Sequence, residues 1–72
     1  MTDRTLQSGT HIARITAVEL PDNTFEAQVF VRLSREPAIA ETYIPAGIFP
    51  TISEAMAGAE ERARRALDHH EF

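Results

Sequence analysis

The clearest hydrophobic pattern lies in "FEAQVFVRL", residues 25–33. Phe25, Ala27, Val29, Val31 and Leu33 alternate with Glu26, Gln28, Phe30 and Arg32. A period of two places the first set on one face of a half-buried strand. "HIARITAVEL", residues 11–20, is rich in β-branched side chains and ends at Pro21-Asp22-Asn23, a turn-favouring cluster. So short a link predicts an antiparallel hairpin between the two strands. "AIAETYI", residues 38–44, reads as a third, shorter strand whose register stays open, because Ile39 and Ile44 fall on opposite faces. Pro45, Gly47 and Pro50 are expected to stop it there. "MTDRTLQSGT", residues 1–10, is polar and is expected to be a flexible lead-in to a single domain spanning residues 11–72.

The period changes after Pro50. Thr51 followed by Glu54 is a capping-box pattern. A helix over residues 52–68 is predicted, with Ile52, Ala55, Met56, Ala59, Ala63, Ala66 and Leu67 on one stripe. Glu54, Glu61, Arg64, Arg65 and Asp68 lie opposite, and Glu60–Arg64 and Glu61–Arg65 are spaced i,i+4 with the acid first. Gly58 falls off the stripe, so packing does not require it in this reading.

These elements predict an α+β fold. A three-stranded antiparallel meander carries one C-terminal amphipathic helix on one face, β-β-β-α in two layers. Because the helix stripe is mostly alanine, the helix can lie close to the sheet. The sheet must then supply bulk from Ile15, Phe25, Val29, Val31 and Leu33. If Ala13, Ile15 and Ala17 face the helix, then Ile12, Thr16, Val18 and Leu20 face away, together with Phe30. One helix cannot cover both faces. Ile12, Val18 and Phe30 therefore mark an expected interface for self-association or for a protein partner.

Composition removes several classes of function. The 72-residue chain has no cysteine, which excludes disulfides and thiolate metal sites. No apolar run approaches the roughly 20 residues that a membrane span needs, and residues 1–10 lack the apolar core of a signal peptide. A cytoplasmic protein is expected. Arginine supplies all seven basic positions and alanine is frequent, a bias that fits a GC-rich bacterial genome. The net charge of −4 disfavours nucleic acid, whose phosphates are held by clustered Lys and Arg. The alternative is a base-stacking platform on the open sheet built from Arg14, Phe30 and Arg32.

Candidate chemistry is sparse. His69 and His70 are adjacent, so on a helix they diverge by about 100° and cannot chelate one ion as an i,i+4 pair would. They read as cations complementing the helix C-terminus, with His70 over the apolar stripe and Phe72 folding back. Neither Ser8, Ser34 nor Ser53 lies in a nucleophile motif. No catalytic residue, metal ligand or cofactor site is expected. Arg62, Arg64 and Arg65 read as a solvated face balanced by Glu60 and Glu61.

The segment "FPTISEAMAGAEERARRALD" resembles the strand-to-helix junction of small bacterial β-β-β-α domains, the HlyU-like family and the HicB-like antitoxin domains. The shared form is T-x-x-E-A, here Thr51, Glu54 and Ala55. The resemblance implies a small regulatory or antitoxin-like protein without catalytic residues. The sequence thus leads to a non-enzymatic, self-associating interaction domain. A nucleic-acid-linked regulator and a small ligand-binding domain formed at a dimer seam are the alternatives.

Overall fold

The computed structural model describes residues 2–33 and 41–69. Four strands, β1 (Thr2–Ser8), β2 (His11–Glu19), β3 (Phe25–Leu33) and β4 (Thr42–Phe49), precede one helix, α1 (Ile52–His69). The strands form an antiparallel meander in the order β1-β2-β3-β4. The α+β class and the C-terminal helix packed on the sheet agree with the sequence. The strand count does not: the described residues form four strands, not three.

The additional strand is β1, formed from residues read as a lead-in. Ser8 pairs with His11, so Gly9 and Thr10 make a two-residue hairpin. Gly9 has φ 59° and Thr10 stays at negative φ, the pattern of a turn with glycine at its first central position. The register places Arg4, Leu6 and Ser8 on the helix side of the sheet, with Leu6 packed against the core. Arg4 also reaches the helix, donating to Glu60 at 3.1 Å.

The β2–β3 hairpin forms where the sequence placed it. The Asn23 amide donates to the Leu20 carbonyl at 3.1 Å, and the Leu20 amide to the Thr24 carbonyl at 2.8 Å. Pro21 presets the first turn position, and Asn23 adopts φ 66°, a left-handed conformation that asparagine tolerates. The Asp22 carboxylate accepts from the Thr24 hydroxyl at 2.5 Å and from the Thr24 amide at 3.3 Å. Those two bonds, the hydroxyl's first, hold the Asp22 carboxyl below its ordinary 3.8.

β4 corrects the third predicted strand. It begins at Thr42 and runs through Pro45 and Gly47 to Phe49, although both residues were expected to end it. Two features accommodate them. β4 is an edge strand, so one side of its backbone makes no ladder bonds and a missing N–H is tolerated. Glu26 opposes Ile48 while Gln28 opposes Pro45, so β4 carries one extra residue at a bulge, where Gly47 takes φ 101°. Residues 38–40, including Ile39, lie outside the described residues.

The helix starts as its sequence signal implies. The Glu54 amide donates to the Thr51 hydroxyl at 3.1 Å and the Ala55 amide to the Thr51 carbonyl at 3.0 Å. Ala55, Met56, Ala59, Ala63, Ala66 and Leu67 are buried against the sheet. Ile52, assigned to the same stripe, is instead 44% exposed at the helix mouth. Ile15, Val29 and Val31 are the bulky side chains buried most completely, whereas Phe25 packs from the periphery. Among the described residues, seven of the thirteen buried apolar ones are alanine, so much of the core depends on close backbone approach rather than on large side chains.

Gly58 is required by packing after all. A Cβ at this position would lie 2.4 Å and 2.8 Å from ring carbons of Phe49, the last residue of β4. The ring therefore rests on bare helix backbone and clamps the strand-to-helix junction.

Gly58→Ala gains about 1 kcal/mol of helix propensity but displaces the ring, an overpacking cost of roughly 1–3 kcal/mol. The urea midpoint is expected to fall. In a Phe49→Ala background the same substitution is expected to raise it, and a rise in both backgrounds would refute the clamp. Asn23→Val is expected to cost about 1–2 kcal/mol in the same assay because a β-branched residue resists positive φ, with Asn23→Gly tolerated. The Asp22 contribution is full above pH 3.8 and disappears as pH falls through the lowered native value. Stability–pH profiles of wild type and Asp22→Asn should therefore run parallel above pH 5 and diverge below about pH 4, with wild type losing more.

Candidate interaction surface

The helix covers one face of the sheet, and the register defines the other. Four cross-strand rows project from it: Gln7–Ile12–Arg32, Thr5–Arg14–Phe30–Tyr43, Asp3–Thr16–Gln28–Pro45, and Val18–Glu26–Ile48. Among the described residues, no element packs over these rows. Cross-strand neighbours on one face are the units through which a sheet surface gains order.

The second row is the most ordered. The Arg14 guanidinium carbon lies 4.5 Å from the centroid of the Phe30 ring, within cation–π range. Phe30 and Tyr43 have centroids 5.2 Å apart and planes inclined at 37°. At its far end Arg14 donates to the Glu41 carboxylate at 3.1 Å. A carboxylate, a guanidinium and two rings are thus joined in one chain of contacts. Partial burial, and secondarily the negative charge of Glu26, push the Tyr43 phenol above its ordinary 10.0, so it stays a neutral hydroxyl throughout the physiological range.

The structure separates some residues that the sequence grouped. Ile12, Val18 and Phe30 do share this face. Arg14 and Thr16 stand between Ile12 and Val18 on β2, so the three form no continuous apolar patch. Six residues of strand separate Ile12 from Val18 by about 20 Å. The apolar surface is instead divided between the Phe30–Tyr43 pair and the Val18–Ile48 end. Tyr43, 44% exposed, and Ile48, 61% exposed, were not singled out in the sequence, because β4 was expected to end before Ile48 and its register was open.

Arg14, Phe30 and Arg32 also share the face, but only Arg14 touches the ring. Arg32 lies in the next row opposite Ile12 and donates to the Leu33 carbonyl at 3.3 Å. The face carries Asp3, Glu26 and the adjoining Glu41 against Arg14 and Arg32, a balance that offers no positive field to a phosphate backbone. On the helix, Arg64 lies 3.7 Å from Glu60, which also binds Arg4.

Other chemistry is limited. Two shallow clefts flank the helix. One, about 220 Å³, is lined by Ala46, Phe49, Gly58, Glu61, Arg62 and Arg65. The other, about 340 Å³, is lined by Leu6, Gln7, Ser8, Arg64, Leu67 and Asp68. Among the described residues no three His, Asp or Glu side chains converge to hold a metal ion. His11 Nδ1 lies 3.2 Å from the Thr10 hydroxyl, and exposed His69 ends the helix, where a cation complements the dipole. His70 and Phe72 lie outside the described residues. No described helix is long and apolar enough to cross a membrane.

Among the described residues, Thr16 is the one buried polar residue of the outer face. It is 2% exposed, and its hydroxyl has no partner among the described residues. An orphaned hydroxyl costs about 1–3 kcal/mol. Thr16→Val keeps the shape and the β-branch, and is expected to raise unfolding stability by about 1 kcal/mol in urea denaturation. A loss of stability would show that the hydroxyl is satisfied.

No protein-family model, no curated protein and no solved structure matches this chain. The likeness of its helix junction to the HlyU-like and HicB-like domains rests on Thr51, Glu54 and Ala55 alone.

Proposed function

We propose that this chain is a small, non-enzymatic, cytoplasmic bacterial domain that acts through protein–protein contacts made by the helix-free face of its sheet. The observation that carries the reading is the Arg14–Phe30–Tyr43 row. Tyrosine and arginine are among the side chains enriched where binding energy concentrates. Here they are already held by each other and by Glu41 before any partner arrives, which lowers the ordering cost of association. Mixed charge around a partly buried aromatic centre is the composition of a protein-binding surface.

The cation–π pair also supports the nucleic-acid reading, since a guanidinium and a ring can sandwich a base. The charge balance of the face supports it less. Arg14 is already paired with Glu41, and Asp3 and Glu26 on the same face offset the charge of Arg32.

Immobilised wild-type protein is expected to retain partners from native lysate, further copies of the chain included, that Phe30→Asp does not retain. Glu61→Lys, on the helix, is expected to retain them. Circular dichroism should show the helix intact in both variants. Capture indifferent to Phe30→Asp would remove the outer face as the contact surface. Anisotropy titration with short single strands at low salt tests the other reading. Binding that weakens steeply with salt and depends on Arg14 and Arg32 would replace the protein partner with nucleic acid.

A further inference from the structure

Resting on that reading of the face, we infer that its occupant is a second copy of this chain, packed face to face about a two-fold axis that lies between the sheets and runs across the strands. The argument is the distribution of chemistry along the two central strands. On β2 the outer positions run Ile12, Arg14, Thr16, Val18; on β3 the same rows read Arg32, Phe30, Gln28, Glu26. β2 is therefore apolar at both ends of the face and polar between. β3 is cationic at one end and anionic at the other.

A two-fold axis across the strands keeps each strand over its own copy and reverses its direction. Centred between the middle rows, it sets Ile12 over the partner's Val18 and Glu26 over the partner's Arg32, each twice by symmetry. The same operation brings Tyr43 over the partner's Pro45 and Phe30 over the partner's Gln28. No charge meets its own sign along the central strands. An axis parallel to the strands does the opposite: it matches each row with its own row, bringing Glu26 level with Glu26 and Arg32 level with Arg32. Aligned sheets cross at about 30°, a rotation that long Glu and Arg side chains can span at the ends of the face.

The face is small. Four strands about 4.8 Å apart and some eight residues long present roughly 500 Å² of plane per copy. Two copies reach only the lower limit, about 1,000 Å², of specific interfaces. The expected dimer is accordingly weak, with a dissociation constant in the micromolar range and fast exchange.

Sedimentation equilibrium from about 5 to 500 μM is the test, a range that brackets micromolar affinity. Wild type is expected to dimerise within it. Glu26→Arg and Arg32→Glu are each expected to weaken the dimer at least about tenfold at low salt, because each substitution creates two like-charge pairs. An equimolar mixture of the two variants is expected to dimerise as wild type does, since the hetero-pair restores Glu against Arg at both ends. Two misfolded variants could not rescue each other, so the mixture also controls for folding. A wild type that stays monomeric, or a mixture as weak as its components, overturns the inference. In that event, capture from lysate still sensitive to Phe30→Asp would leave the face as a contact surface for a different protein. Capture insensitive to it would remove both.

Discussion

Close contact between alanines of the helix and small residues of the sheet is the interaction on which the molecule depends. Ala55, Ala59, Ala63 and Ala66 meet a surface that includes Ala13, Ala17 and Ala27. Alanine brings little transfer free energy per residue, and the gain comes from bringing two backbones near one another at high packing density. The bulk comes from Ile15, Val29, Val31 and Ile44 of the sheet, with Met56 and Leu67 toward the helix ends. The Phe49 ring fits beside such a helix only where the helix has no side chain, and Gly58 supplies that place. A larger residue on the stripe would lift the helix and unseat the ring together.

The same economy explains the division of labour between the two faces. A single thin core uses the whole apolar face of the helix on one side of the sheet. The other side must be held together by its own cross-strand contacts. The Glu41–Arg14–Phe30–Tyr43 series does this with a charged pair, a cation over a ring and two inclined rings. Such contacts order side chains without hiding them from a partner, so rigidity and accessibility coexist on this face.

Much of the fold was legible because its central elements repeat one signal many times. β3 alternates over nine residues, and the helix joins a cap to a 3.6-residue stripe. The edges obey other rules. β1 has one apolar side chain facing the helix, Leu6, so a period-two search finds nothing. The clue was the Ser8-Gly9-Thr10-His11 turn. Pro45 and Gly47 are breakers in a central strand but acceptable in a bulged edge strand, and topology alone distinguishes the cases. The outer face was legible in parity and not in distance. Parity places Ile12, Val18 and Phe30 together. Only the register of the Leu20–Thr24 turn shows that Phe30 stands opposite Arg14 and that Ile12 and Val18 lie at opposite ends.

The irregularity of β4 has a further consequence. A sheet grows into a fibre by adding strands at both margins, so each subunit must offer two regular rows of backbone groups. Here one margin, β1, is regular, whereas the other is interrupted by a proline nitrogen and an extra residue at Ala46 and Gly47. The proline and the bulge therefore protect the β4 margin against regular strand addition.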